Sequence, residues 1–184
     1  MTLQRHFIAA VLATTSLWAQ AQSIEVQSPL APVDIGATFT IDILGKGFAN
    51  NIYGGGYDVS FDASILRLDK VVVPAIWELG YVEDTPGPID NATGTKPGVN
   101  FNTLAGRKGD FTTATLTFTA LVGGSSAITL SASPLWPFAD DNGEVMVAFK
   151  NGSVTVAAVP EPASVAMVLA GLGLVGMRLR RARG

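Results

Sequence analysis

The chain has 184 residues, of which 48% are hydrophobic and only 15% charged, and it contains no cysteine. That length suits one domain of roughly 100–150 residues with terminal extensions, and the lack of cysteine excludes disulfides and thiolate metal sites. The body between the two ends carries 7 basic and 14 acidic residues, a negative charge that predicts no DNA or RNA partner.

The first 21 residues have the features of a signal peptide. Arg5 and His6 give a short basic start, an apolar helix is expected next, and Ala19 and Ala21 have the small-x-small spacing that signal peptidase recognises. We predict cleavage after Ala21; the alternative is an uncleaved anchor, but the apolar stretch is shorter than the ~20 residues of a membrane span. Cleavage removes the only histidine, the usual general base and metal ligand. We therefore predict no enzyme, no cofactor and no metal.

The body, residues 22–157, alternates apolar and polar residues in short runs bounded by Gly, Pro, Asn and Asp. This alternation indicates half-buried strands. It is seen in "FTIDI", in "YDVSF" and most clearly in "TTATLTFTAL", where Ala114, Leu116, Phe118 and Ala120 would face inward and threonines such as Thr113 would face solvent. We count about eight or nine strands, which predicts an all-β, two-sheet sandwich.

Two further segments complete the predicted body. Residues 74–98 are rich in proline and lack sustained alternation, so we expect a long loop with at most a short helical turn near residues 76–79. Near the end, "EVMVAFKNGSVTV" predicts two strands joined by Asn151 and Gly152. An Asn-Gly dipeptide readily adopts the positive φ angles of a two-residue hairpin.

Taken together, these runs resemble the cohesin domains, which are jelly-roll β-sandwiches that bind dockerin modules in cellulose-degrading assemblies. The matching stretches are "GATFTIDI" (36–43), "GGYDVSFDASILRL" (55–68), "GDFTTATLTFTAL" (109–121) and "NGSVTV" (151–156). The resemblance implies a non-catalytic binding module over residues 22–157. Its partner would be a dockerin-like protein or, through kinship with carbohydrate-binding sandwiches, a polysaccharide.

Two tryptophans are candidate ligand-binding residues. Trp77 and Trp136 stand beside prolines in irregular segments, where indole rings could stack on sugars; the alternative is a place in the core. The acidic cluster "ADDNGE" (139–144) lacks EF-hand spacing and contains an Asn-Gly step, so it predicts a turn rather than a calcium site. No spacing marks two of the body's carboxylates as a glycosidase pair, and we predict no catalytic residue.

The C-terminal tail has three parts. Pro160, Glu161 and Pro162 should stay extended, because proline disfavours helix. Residues 163–177 carry no charge and predict a short transmembrane helix of about 22 Å at ~1.5 Å per residue. A basic cluster follows, and the positive-inside rule places it on the cytoplasmic side of the membrane. Its members are Arg178, Arg180, Arg181 and Arg183.

This order of parts resembles the PEP-CTERM sorting signal (158–184), which implies processing by an exosortase. The sequence therefore predicts an exported protein that is first anchored in the inner membrane and then reaches the cell surface or extracellular matrix. We expect signal peptidase and exosortase to process it, and we expect association with exopolysaccharide or biofilm. The alternatives are a carbohydrate-binding or polysaccharide-degradation accessory module, and a dockerin-binding scaffold component.

Overall fold

The structure is a computed structural model that describes residues 22–79 and 87–158, together with Leu172 and Arg178. The predicted signal peptide, the Pro-Glu-Pro motif and nearly all of the predicted transmembrane helix lie outside these residues. In the part of the chain that is described, no helix has the length and apolar character needed to cross a membrane.

The described body consists of β-strands, which confirms the all-β prediction. The strands are β1 (Ser23–Val26), β2 (Thr38–Ser60), β3 (Leu66–Val72), β4 (Thr95–Ala120), β5 (Gly124–Ala132), β6 (Ala139–Asp140), β7 (Gly143–Glu144), β8 (Ala148–Lys150) and β9 (Gly152–Val156).

The two long strands, β2 and β4, take part in both layers of a β-sandwich. The first half of β2 pairs with β1 and with the end of β4, giving a first layer in the order β3-β4-β2-β1-β8. The second half of β2 pairs with the start of β4 and with β5, which in turn pairs with β9 in the second layer. Register shifts in the middle of the β2–β4 ladder, between Ile43 and Gly54, bend both strands.

Apolar side chains from alternate strand positions fill the space between the layers. Ile41 and Ile43 of β2 and Leu116 and Phe118 of β4 are at most 1% exposed. This burial confirms the alternation predicted for "FTIDI" and for most of "TTATLTFTAL". Because β2, β3, β4, β5 and β9 each bury one face in the core, hydrophobic burial is the main force that holds the layers together.

The prediction that Thr113 faces solvent is wrong, because a β-bulge turns its side chain inward. The register shift between Ile43 and Leu44 leaves Thr113 as the extra residue of β4. Its hydroxyl donates to the Ile43 carbonyl at 3.0 Å and lies 2.8 Å from the hydroxyl of Tyr57, in the buried interior. This threonine therefore links the two layers by hydrogen bonds.

Replacing Thr113 with valine is expected to lower the free energy of unfolding by about 1–3 kcal/mol, since the Ile43 carbonyl and the Tyr57 hydroxyl each lose a buried partner. Urea unfolding followed by circular dichroism would measure the change. Thr117→Val, at an outward position of the same strand, is the control and should change stability by less than about 0.5 kcal/mol. Equal effects of the two substitutions would contradict the buried role of Thr113.

The hairpin predicted at Asn151 and Gly152 is also wrong, because β8 and β9 do not pair with each other. β8 runs parallel to β1 in the first layer, whereas β9 runs antiparallel to β5 in the second. The Asn151 side chain accepts a hydrogen bond from the Leu130 amide at 3.0 Å as the chain crosses between layers. A Cβ atom on Gly152 would lie 2.5 Å from the Ser28 hydroxyl, so this glycine permits close packing and does not form a turn.

The predicted loop at residues 74–98 is shorter than expected. Residues 75–79 form turns and bends rather than a helical turn, and β4 already begins at Thr95. The strand was missed because Pro97 and Gly98 interrupt its alternation. They form a bulge, in which the Gly98 amide donates to the Asp58 carboxylate at 2.7 Å, and this bond fixes Asp58 on the outer side of the second layer.

Candidate functional site

The second layer presents an open face that could contact another macromolecule. Its centre is a shallow pocket of about 280 Å³, lined by short side chains that include Asp58, Ser60, Pro97 and Ser131. Asp58 and Ser60 point outward because Val59 between them in β2 points into the core, and Ser131 does so because Leu130 before it in β5 is buried. A pocket of about 280 Å³ is smaller than most small-molecule sites, and its short side chains leave the sheet open to a protein surface.

A second feature, the Trp136 cleft, adjoins the open face at the C-terminal end of β5 and shares Ser131 with it. It has a volume of about 590 Å³, and its walls include Pro134, Trp136, Phe138, Met146 and Phe149. Most of the surface that lines it is apolar. Its volume falls within the roughly 300–1,000 Å³ that is usual for small-molecule sites.

The run of glycines at residues 54–56 allows the cleft to form. The Gly56 amide donates to the Trp136 carbonyl at 2.9 Å. This bond holds the segment of residues 133–138, which connects β5 to β6, against β2. A Cβ atom on Gly56 would lie 2.7 Å from the Cβ atom of Trp136, and one on Gly55 would lie 2.6 Å from the Phe138 ring. Because successive residues of a strand face opposite sides, the glycines let Trp136 cover the outer face of β2 while Phe138 fills the core.

The two predicted candidates, Trp77 and Trp136, have different surroundings. Trp77 is 3% exposed and packs against Phe101 and Phe111. Its indole nitrogen donates to the Thr112 carbonyl at 2.9 Å. Trp136 is half-buried, and its indole nitrogen is buried without a hydrogen-bond partner. Trp77 therefore belongs to the core, whereas Trp136 lines the cleft.

The acidic cluster of residues 139–144 forms the turn that its sequence predicts. β6 and β7 pair across this turn, and the short hairpin is attached to β2. Asn50 donates to the Asp140 carboxylate at 3.0 Å, and the Tyr53 hydroxyl donates to Asp141 at 2.6 Å. The bond to Asp141 raises the pKa of Tyr53 above its usual range. Within residues 22–79 and 87–158, no three acidic or histidine side chains are grouped so that they could hold a metal ion.

Acid is expected to destabilise the body. The hydrogen bond from Asn50 lowers the pKa of Asp140, and the bond from Lys46 lowers that of Asp110. Because the unfolded chain then takes up these protons at a higher pH than the folded chain does, stability falls as the pH drops through the usual aspartate range to the lowered pKa values. Melting temperatures between pH 7 and pH 3 would show the loss.

Asp140→Asn provides the matched comparison for the acid effect. The variant lacks one of the carboxylates with a lowered pKa, so its melting temperature should fall less steeply with acidification than that of the parent. Parallel pH profiles of the two proteins would show that Asp140 does not contribute.

Comparison with solved structures identifies the fold of the body as that of cohesin domains. The seventh type I cohesin of ScaB from Pseudobacteroides cellulosolvens aligns with 77% of this chain and 96% of its own, at 17% identity and a TM-score of 0.59. A non-cellulosomal cohesin from the archaeon Archaeoglobus fulgidus aligns with 75% of this chain and 92% of its own, at 16% identity and a TM-score of 0.56. The third cohesin of ScaC from Acetivibrio cellulolyticus, solved with the ScaB dockerin, aligns with 74% and 99%, at 16% identity and a TM-score of 0.57.

The tail is identified by its sequence. Residues 158–183 match the PEP-CTERM protein-sorting motif, and this range includes Pro160, Glu161 and Pro162. Among curated proteins, none matches the chain in sequence. The chain therefore combines a cohesin fold with a sorting motif that implies a secreted, membrane-anchored precursor processed by an exosortase.

Proposed function

We propose that the protein is an exported, non-enzymatic module that binds a dockerin-type protein outside the cell. The observation that carries the proposal is the cohesin fold, which covers at least 92% of each of the three cohesin chains compared above. One of those cohesins was solved together with a dockerin. The sorting motif at residues 158–183 supports a location at the cell surface or in the extracellular matrix.

The open face is the surface proposed for this partner. Its small side chains, such as Ser60 and Ser131, allow a protein surface to approach the sheet closely. A standard protein–protein contact buries about 800 Å² on each partner. A pocket of only about 280 Å³ would therefore be one part of a larger contact across β2, β4 and β5.

Binding to dockerin-type modules of the source organism, each produced singly and measured by biolayer interferometry, tests the proposal. Ser60→Arg is expected to weaken binding at least a hundredfold, because a long charged side chain on the open face would prevent close approach. Thr117→Arg, on the outer face of the other layer, should leave affinity unchanged. If no dockerin-type module binds, or if Ser60→Arg binds as well as the parent, the proposal fails.

The proposed route to the surface assigns roles to both ends of the chain. Signal peptidase cleaves after Ala21, and the apolar helix at 163–177 holds the precursor in the inner membrane until exosortase acts at Pro160, Glu161 and Pro162. Replacing these three residues with alanines should leave the precursor in the inner-membrane fraction, as should deletion of the exosortase. Terminal sequencing of the surface protein would identify both cleavage sites; an intact tail on that protein would contradict the route.

Association with exopolysaccharide is a second candidate function. This function would operate at the same extracellular location. It is favoured by the largely apolar cleft that Trp136 lines and by the buried indole nitrogen of that residue, which has no hydrogen-bond partner. Retention of the protein in purified matrix after extraction with high salt would support this association, and complete release of the protein would count against it.

A further inference from the structure

We propose that the Trp136 cleft binds an uncharged saccharide, with the Trp136 indole N–H donating to a sugar hydroxyl. The proposal deepens the exopolysaccharide association and rests on the proposed extracellular location. The cleft adjoins the open face, and Ser131 lines both, so the two proposals are tested with variants that each touch only one of the two sites.

The hydrogen-bonding state of Trp136 is the first argument. A buried donor without a partner is costly, by about 1–3 kcal/mol, and folded proteins rarely leave one. The indole nitrogen of Trp136 is in this state, whereas that of Trp77 is paired with the Thr112 carbonyl. Because the Trp136 side chain as a whole is only half-buried, a turn of its ring can bring this nitrogen to the surface of the cleft. An acceptor bound there would then satisfy the donor, so the protein gains from a ligand that offers one.

The chemistry of the walls is the second argument. Pro134, Met146 and Phe149 make one side of the cleft apolar, and Ser131 and Glu144 add polar groups. A pyranose ring has the same two characters, because its C–H face is apolar and its rim carries hydroxyls. Ligand sites usually combine apolar walls with a few polar groups that fix orientation.

Charge selects among saccharides. The described residues that line the cleft include Glu144 but no lysine or arginine, and the neighbouring hairpin carries Asp140 and Asp141. An acidic polysaccharide would be repelled by these carboxylates. The cleft therefore suits an uncharged glycan.

The backbone argues against an extended peptide as the ligand. Strand addition needs free amide and carbonyl groups at a sheet edge. At the base of the cleft, the Gly56 amide already donates to the Trp136 carbonyl, and the Gly56 carbonyl accepts from the Ser133 amide at 3.4 Å. A ligand of the cleft must therefore gain its affinity from contacts with the protein's side chains. A saccharide can make such contacts through its hydroxyls and its C–H groups.

Nuclear magnetic resonance of the ¹⁵N-labelled exported protein tests the proposal directly. Cellohexaose, laminarihexaose and mannohexaose serve as uncharged probes, with oligogalacturonate as the acidic comparison and an uncharged apolar hexapeptide as the peptide comparison. At least one uncharged hexasaccharide should shift the indole N–H resonance of Trp136. The resonance of Trp77 should stay in place, because its donor is already paired.

Trp136→Phe provides the matched variant. It keeps an aromatic wall and removes only the donor, so affinity for the hexasaccharide should fall about tenfold, the loss expected for a hydrogen bond to a buried donor. Its melting temperature should not fall, because the substitution also removes an unsatisfied buried group. Affinity for the hexasaccharide should be the same at 50 mM and 500 mM salt.

Three outcomes would overturn the proposal: no resonance shift with any uncharged hexasaccharide, unchanged affinity in Trp136→Phe, or preferential binding of the peptide or the acidic oligosaccharide. Measurements of dockerin binding show whether the saccharide proposal alone has failed or the dockerin proposal has failed as well. Trp136→Phe should bind a dockerin-type module as the parent does, whereas Ser60→Arg, which lies outside the cleft, should lose dockerin binding and keep its affinity for the hexasaccharide.

Discussion

Replacing Trp77 with alanine is expected to destabilise the protein by about 3–5 kcal/mol, the usual cost of deleting a buried tryptophan. The ring centroid lies 4.6 Å from that of Phe101 and 5.1 Å from that of Phe111. Truncation would open a cavity between these rings and also leave the Thr112 carbonyl without its indole donor. Urea unfolding at neutral pH would measure the loss.

Leu79→Ala is the control for Trp77→Ala, because Leu79 stands two residues further along the same irregular segment and is 55% exposed. Its truncation removes little buried surface and should cost less than about 0.5 kcal/mol. If Trp77→Ala were equally mild, Trp77 would have to be a surface residue, as the ligand-binding interpretation of the sequence required.

Replacing Gly94 with alanine should also cost several kcal/mol, for two separate reasons. The φ angle of Gly94 is +71°, a left-handed conformation that costs an L-residue about 1–2 kcal/mol. In addition, an added Cβ atom would overlap the carbonyl oxygen of Phe61. Because that oxygen belongs to the backbone, relief requires the chain to move, and movement would break the 2.9 Å bond from the Phe61 amide to the Gly94 carbonyl.

Gly109→Ala separates these two costs. Gly109 has a φ angle of +81°, but a Cβ atom there would meet nothing within 4 Å. Its substitution should therefore cost only the conformational term, about 1–2 kcal/mol. The difference between the two variants in the free energy of unfolding measures the clash at Gly94, and equal losses would show that the overlap is absorbed without strain.

Strand identity and inward faces could be predicted from the sequence where one side of a strand faces solvent. The pleat of a strand places every second residue in the core. Core positions such as Ile41 in β2 and Leu116 and Phe118 in β4 therefore carry apolar side chains at a period of two. The cohesin fold could be expected because these runs resemble that family. The sorting motif could be expected because Pro160, Glu161 and Pro162, the apolar run and the arginines stand in the order of the PEP-CTERM signal.

Features that depend on contacts between distant segments could not be predicted. The inward turn of Thr113 arises from a bulge that is visible only once β2 and β4 are paired. Asn151 and Gly152 have the local preference of a hairpin, but the flanking strands gain more by pairing with β1 and β5. The Trp136 cleft had one signal in the sequence, the three successive glycines at 54–56, because such a run in a strand indicates close approach by other groups.

The pairing of β2 with β4 has a consequence for the timing of folding. Thr38 and Thr119 face each other across this ladder although 81 residues separate them in the chain. Contacts between such distant residues make β-proteins fold slowly, in milliseconds to seconds, because the intervening loop must close first. A secreted chain that threads from its N-terminus through a narrow channel would thus remain extended until most of it had emerged on the far side, and delayed closure would keep it competent for transport.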